Sequence, residues 1–121
     1  MKPTPSDWPR LSSSVFYADA ARAIDWLCDT FGFEVRLKIE GDGGRIEHSE
    51  LVYGEGLIMV SQESVDADRP WKRHMRSPAS LGGMTTQSLM LFVDDAEAHY
   101  AHARSKGAQI LEEPAIHDYG E

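Results

Sequence analysis

The sequence predicts an α+β fold made of two tandem βαβββ units. A strand-like run, a capped amphipathic helix, a glycine and an apolar restart occur in residues 16–35, "FYADAARAIDWLCDTFGFEV", and again in residues 92–110, "FVDDAEAHYAHARSKGAQI". The first passage continues into further strand-like runs that are separated by glycine turns. A length of 121 residues suits one domain with a core that needs no disulfide bonds.

The first unit, residues 12–62, opens with "LSSSVFYA", whose β-branched and aromatic residues are typical of a strand. Asp19 is placed to cap the following helix, because its carboxylate can accept hydrogen bonds from the free amides of the first turn. Apolar residues recur at spacings of three and four until Gly32, which can adopt the left-handed conformation that ends a helix. Three strands should follow in a meander, "FEVRLKIE", "RIEHSELVY" and "LIMVSQ".

Residues 63–86 are rich in proline, glycine, serine and charge, and they predict a linker or a long functional loop. The second unit, residues 87–121, should contain the strand "QSLMLFVD", a helix capped by Asp94 or Asp95, and the strand "AQIL" after Gly107. An equal second unit would run roughly 15 residues past Glu121, so this unit looks truncated. Either the chain is incomplete or another chain completes the sheet, and we expect a homodimer or a larger assembly.

The charge and the composition exclude two classes of partner. A formal charge of −8 disfavours nucleic acid, and no apolar run reaches the ~18 residues of a membrane-spanning helix. The opening "MKPTPSDWPR" lacks the pattern of a signal peptide, and the single Cys28 cannot form an internal disulfide. We therefore expect a cytoplasmic protein with no nucleic-acid and no membrane partner.

Three further stretches in order, "AIDWLCDTFGFEV", "SPASLGGMTTQSLMLFVDD" and "EEPAIHDYGE", complete a resemblance to a known group. From Ser12 onward, nearly the whole chain resembles the vicinal oxygen chelate superfamily, and in particular its uncharacterised glyoxalase-like members. That superfamily includes glyoxalase I, extradiol dioxygenases, and the fosfomycin and bleomycin resistance proteins. The resemblance implies a curved mixed sheet around a cavity, whose concave face encloses a small-molecule or metal site.

In metal-dependent members, the resemblance implies a His or Gln on the first strand of each unit and a Glu on the last strand. Such ligands suit hard divalent ions. Ser12 and Ser88 stand at the two first-strand positions here, and serine hydroxyls are poor ligands. The last strand of the first unit, "LIMVSQ", offers no carboxylate. We therefore expect no metal ion and no other cofactor.

His48 is the histidine of greatest interest. If residues along "RIEHSELVY" alternate strictly between two faces, Leu51 packs on the helix while His48 and Glu50 face the cavity. An imidazole beside a carboxylate can act as a general base or orient a ligand. The alternative is an ordinary half-exposed strand histidine.

The same register predicts a cavity lining that is apolar with a few hydroxyls and one imidazole. Its members are Ser12, Ser14, Phe16, Ile46, His48, Glu50, Val52, Ser88, Met90 and Phe92. Such a lining suits a partly aromatic small molecule better than a hydrated ion, unless these side chains simply fill a core.

Each remaining candidate also has a purely structural explanation. His99 and His102 could chelate a metal at their helical spacing of three, but the buried stripe of that helix leaves at least one of them toward water. His74 lies in "RPWKRHMR", whose cations could close over an anionic ligand or form a solvated loop. Cys28 falls on the apolar stripe of the first helix and is expected to be a small core residue.

These observations favour a metal-free small-molecule-binding protein of the sequestering kind found among the resistance proteins of this superfamily. The alternative is an enzyme, either a metal-dependent lyase like glyoxalase I or an extradiol dioxygenase. The absence of His and Glu at the expected ligand positions favours the first hypothesis.

Overall fold

The computed structural model describes residues 1–119 and has the predicted α+β fold. The described residues form four strands and two α-helices: β1 (Ser13–Tyr17), α1 (Ala20–Phe31), β2 (Glu34–Glu40), β3 (Ile46–Tyr53), β4 (Gly56–Gln62) and α2 (Ala96–Ser105). Two short 3₁₀ helices, Pro70–His74 and Pro78–Leu81, lie in the long loop between β4 and α2. No helix within residues 1–119 combines the length and the apolar character that crossing a membrane requires.

All four strands belong to one mixed sheet with the order β1-β4-β3-β2. β1 runs parallel to β4, whereas the other two neighbouring pairs are antiparallel. The parallel pair arises because α1 carries the chain across from β1, while tight turns join β2, β3 and β4. β1 and β2 are therefore the two edges of the sheet.

The first helix begins and ends where its local signals predict. The Asp19 carboxylate accepts from the Arg22 amide at 3.2 Å, and Gly32 closes the helix with a φ of 84°. The inner face of α1 contributes Ala20, Ile24 and Leu27 to the core, where they meet side chains from the sheet. The helix thereby covers one face of the sheet, which we call the helix-facing side, and the other face is called the open face.

Two predicted strands of the second unit are absent. Residues 87–93 and 108–111 belong to no strand, although α2 forms between them and Asp95 caps it as predicted. A strand exists only when a neighbour satisfies its backbone groups, and no described strand pairs with either segment. Leu91 packs against the core, while Phe92 is 81% exposed. The proposed unit boundaries at 62/63 and 86/87 remain predictions.

A bulge corrects the predicted face of Ile46. His48 pairs with Ile39 and Ile46 pairs with Glu40, so Glu47 is an extra residue between the two pairs. The extra residue interrupts the alternation of side chains, because a bulge shifts the pleat by one position. Ile46 is 1% exposed and belongs to the helix-facing core with Leu51, so its predicted place in the cavity lining is wrong.

Candidate functional site

The open face of the sheet carries the candidate site. Val15 and Tyr17 pack against the helix-facing core, so the alternate residues Ser14 and Phe16 point to the open face. Pairing across the sheet extends this face in rows: Ser14 lies beside Met59, Met59 beside Glu50, and Phe16 beside Ser61. The open face therefore combines apolar side chains, hydroxyls and one carboxylate from three neighbouring strands.

A chain of three polar side chains lies on the part of the open face that β3 and the edge strand β2 form. His48 Nε2 is 2.8 Å from Glu50 Oε2, and Arg36 donates from both Nε and Nη2 to Glu50 Oε1, at 3.0 and 2.9 Å. Arg36 is the extra residue of a second bulge, between Val35 and Leu37, and therefore lies next to Leu37, the residue that pairs with Glu50. The predicted pairing of His48 with Glu50 on one face is present, and Arg36 completes it.

Glu50 is buried and stays ionised. The hydrogen bond from His48, together with the hydrogen bonds and positive charge of Arg36, lowers the pKa of the Glu50 carboxyl below its ordinary value, although burial opposes this shift. An ionised carboxylate only accepts hydrogen bonds, so His48 Nε2 must carry the proton. The His48 side chain is 35% exposed, so a ligand on the open face can hydrogen-bond to its second ring nitrogen, Nδ1.

The N-terminal segment, residues 4–9, lies over one side of this network. Arg36 is 4.5 Å from the centre of the Trp8 ring and also donates to the Asp7 carbonyl. A cleft of about 690 Å³ separates this segment from Val52 and Leu57. The segment thus narrows access to the open face and holds Arg36 in place.

The long loop lies over the other side. A second cleft of about 580 Å³, which we call the loop cleft, lies between β1 and residues 74–89. Glu63 fixes the loop, because its carboxylate accepts from the Ser77 amide at 2.6 Å and from the Ser80 hydroxyl. These two hydrogen bonds, the amide first, lower the pKa of the Glu63 carboxyl. Phe16 is only 6% exposed on this part of the open face.

The sequence predicted one cavity, but the structure distributes several of the predicted lining residues among three clefts. Ser14, Phe16 and Ser88 line the loop cleft, while Val52 lines the N-terminal cleft. Ser12 and Met90 instead line a third cleft, of about 470 Å³, at the end of the sheet.

Two members of the predicted lining differ in other ways. Phe92 is largely exposed and lines none of these three clefts, because its segment does not join the sheet. The Ser12 hydroxyl is buried without a hydrogen-bond partner among the described residues.

The donors on the open face do not fit the divalent-ion site that the resemblance implies for metal-dependent proteins. Leu57, Met59 and Ser61 face the open side of β4, so this strand presents no carboxylate there. Within residues 1–119, no three His, Cys, Asp or Glu side chains are grouped so that they could hold a metal ion. Ser12 and Ser88 supply only hydroxyls, which are weak ligands for such ions.

Two of the four remaining candidates, His99 and His102, lie between the two helices. His102 Nε2 lies 2.8 Å from the Asp29 carbonyl, and the His99 ring stacks on Phe31, so both histidines attach α2 to α1. Cys28 is half-buried against the core, and burial is the largest cause that raises the pKa of its thiol. His74 lines the loop cleft, as its place in the cationic loop allowed.

Sequence reasoning missed Arg36, Trp8 and Arg76. Arg36 was hidden because the bulge that turns it toward Glu50 leaves no mark in the alternation of residues. Trp8 was missed because it lies between Asp7 and Pro9 in a segment without periodicity. The signal that could have revealed it is a large aromatic residue in an otherwise polar, proline-rich segment. Arg76 belongs to the cationic run "RPWKRHMR", and the charge of that run was the available signal.

Comparison with solved structures gives the same fold. TioX from Micromonospora sp. ML1 is 26% identical, with a TM-score of 0.66 over 93% of this chain and 81% of TioX. UcmS2 is 19% identical with a TM-score of 0.66, over 98% of this chain and 86% of UcmS2. An integron cassette protein from the mobile metagenome of V. cholerae is 16% identical with a TM-score of 0.61, over 99% and 82% of the two chains. The last two similarities concern the fold alone.

Sequence comparison adds relatives and a family. Uncharacterized proteins of Mycobacterium bovis and Mycobacterium tuberculosis are each 28% identical over 103 residues, or 85% of this chain. The chain spans 65% of the length of the first and 58% of the second. The sequence model of one superfamily matches residues 11–121, which include the whole sheet and both helices. The chain therefore belongs to the glyoxalase/bleomycin resistance protein/dioxygenase superfamily.

Proposed function

We propose that this protein is a metal-free domain that binds a small, partly aromatic molecule on the open face of its sheet. The observation that carries the proposal is the composition of that face. It offers apolar side chains, hydroxyls and the His48–Glu50–Arg36 network, with clefts on both sides. A hydrophobic lining with few, well-placed polar groups is typical of small-molecule sites.

The second candidate function is that of an enzyme, a lyase of the glyoxalase I kind or a dioxygenase. The pairing of His48 with an ionised Glu50 favours it, because a carboxylate that orients an imidazole leaves the second ring nitrogen free to take a proton. The metal ligands of those enzymes are not matched on the described open face. Binding without turnover is therefore the better-supported function.

The test is a binding screen with a variant at the network. Aromatic small molecules that carry a hydroxyl or phenol donor are titrated into the protein by calorimetry, and turnover is followed by mass spectrometry. We expect His48→Ala to weaken binding of a hit by roughly 1 to 2 kcal/mol, because a donor on the ligand loses its acceptor. Lys38→Ala is the control, since Lys38 pairs with Ser49 and lies on the other side of the sheet. Equal effects of the two substitutions would contradict the proposed site.

We also propose that the protein acts as a homodimer or larger assembly. Met90 and Phe92, which lie outside the loop cleft, are 69% and 81% exposed. Exposed apolar side chains of this size are often buried in interfaces between chains, and the free edge of β2 adds unpaired backbone groups. Light scattering should give at least twice the monomer mass of 13.5 kDa. A folded monomer throughout the micromolar range would exclude the assembly.

A further inference from the structure

The loop cleft is lined by basic and not by acidic side chains, although the chain as a whole is acidic. The protein has 20 acidic and 12 basic residues, yet the lining of the loop cleft contains no Asp or Glu. Two of its side chains, His74 and Arg76, supply positive charge or hydrogen-bond donors. Basic side chains in a cleft that no carboxylate lines can attract an anion, although the chain as a whole is acidic.

Arg76 is the only Lys or Arg side chain that lines the loop cleft within residues 1–119. Within residues 1–119, its side chain forms no hydrogen bond within 3.5 Å and no ion pair within 4.0 Å. Glu63 is close enough for Arg76 to lower the pKa of its carboxyl. However, both Glu63 oxygens already accept from Ser77 and Ser80, and Glu63 does not line the cleft. Among the described residues no group is bonded to the Arg76 guanidinium, so it can form charge-assisted hydrogen bonds with a ligand.

The backbone of β1 adds further donors. The Tyr17 carbonyl accepts from the Glu63 amide on the β4 side, so the alternate residues Ser14 and Phe16 direct their backbone groups toward the free edge. That edge forms one wall of the loop cleft. Their N–H groups have no partner at that edge among the described strands, so they can donate hydrogen bonds to an anionic oxygen.

The remaining walls of the cleft are apolar. Phe16 forms the floor and is almost fully buried, while Leu81, Met84 and Leu89 line the sides and are 47 to 73% exposed. A ring inserted among these side chains would remove apolar surface from water, both its own and theirs. The cleft volume of about 580 Å³ falls within the usual range for small-molecule sites.

We propose that the loop cleft binds an aromatic acid, that is, a small molecule that joins one or two aromatic rings to a single anionic group. The rings pack between Phe16 and the apolar side chains of the loop, and the anionic group faces Arg76, with His74 and the β1 edge as additional donors. This assignment rests on the proposed small-molecule function, and it places the ligand in the loop cleft, which His48, Glu50 and Arg36 do not line.

The test compares two fluorescent probes that differ in one charged group. 8-Anilinonaphthalene-1-sulfonate carries a sulfonate, and N-phenyl-1-naphthylamine has the same rings without it. Each is titrated into the full chain and into Arg76→Gln. Arg69→Gln is the matched control, because it makes the same charge change on the same loop, and Arg69 does not line the loop cleft. Ser88→Trp fills the cleft from an exposed position and locates the bound probe.

We expect the sulfonate to bind the wild type more tightly than the neutral probe. Arg76→Gln should weaken sulfonate binding by about 3- to 10-fold and change neutral binding by less than about twofold. Arg69→Gln should change neither by more than about twofold, because an exposed charge acts only weakly at a distance. Ser88→Trp should abolish the binding of both probes.

The contrary outcomes separate this inference from the proposed function. If both probes bind equally and Ser88→Trp blocks both, the cleft is a small-molecule site without anion selectivity, and only the ligand class is overturned. If Arg69→Gln weakens sulfonate binding as much as Arg76→Gln does, the effect is one of overall charge and the assignment to Arg76 fails. If neither probe binds, or if Ser88→Trp affects neither, both the ligand class and the use of this cleft are wrong.

Discussion

Replacing Leu51 by Ala tests the assignment of the two faces of β3, because Leu51 is fully buried in the helix-facing core while His48 lies on the open face. Deleting most of a fully buried leucine side chain costs roughly 2 to 5 kcal/mol, from lost burial and from the cavity that remains. For a domain whose free energy of unfolding is about 5 to 15 kcal/mol, this is a large share. Leu51→Ala should lower Tm by roughly 8 to 20 °C.

His48→Ala should cost far less. It removes one hydrogen bond to Glu50, but Glu50 retains two from Arg36, and the half-exposed position lets water replace the imidazole. The expected loss is about 1 kcal/mol. Leu37→Ala is the matched control, because it makes the same chemical change on a residue that is 40% exposed, and it should cost about 1 kcal/mol or less.

Urea denaturation followed by far-ultraviolet circular dichroism measures the three free energies of unfolding. The slope of the transition with urea should stay the same in all variants, so that the midpoints report stability alone. If His48→Ala destabilises the protein more than Leu51→Ala, the faces of the strand are reversed and the proposed site is wrong. If the two leucine variants lose the same stability, the core does not lie where the structure places it.

Three further predictions follow from the site. Glu50 has a lowered pKa in the folded protein, so its contribution to stability is complete above the ordinary carboxyl pKa of 4.5 and is lost as the pH falls through the lowered folded value. Urea midpoints measured from pH 6 to pH 2.5 should therefore fall less steeply in Glu50→Gln than in the wild type, and parallel curves would argue against the buried ion pair. Glu63→Gln should likewise flatten the acid limb, since hydrogen bonds from Ser77 and Ser80 lower the pKa of Glu63; an unchanged limb would mean that the loop is not held by this carboxylate. Finally, elemental analysis of the purified protein should find no stoichiometric Ni, Zn, Fe or Mn, and close to one chelator-removable ion per chain would show that the donor positions assigned around Ser12 are wrong.

The sequence by itself determined the local elements. Asp19 and Asp95 each cap a helix, and Gly32 ends the first, because capping depends on groups within a few residues of one another. The four strands of the first unit also lie where the β-branched runs and glycine turns predicted them. The presence of His48 and Glu50 on one face followed from their spacing of two along a strand.

Only the tertiary structure decided the features that depend on distant partners. The bulges at Arg36 and Glu47 arise from pairing between strands, so alternation along one strand could not reveal that Ile46 joins the core or that Arg36 reaches Glu50. The contact between Trp8 and Arg36 joins segments that are far apart in the chain. Residues 87–93 have the composition of a strand and yet pair with none, because an extended segment becomes a strand only when a neighbouring strand satisfies its backbone hydrogen bonds.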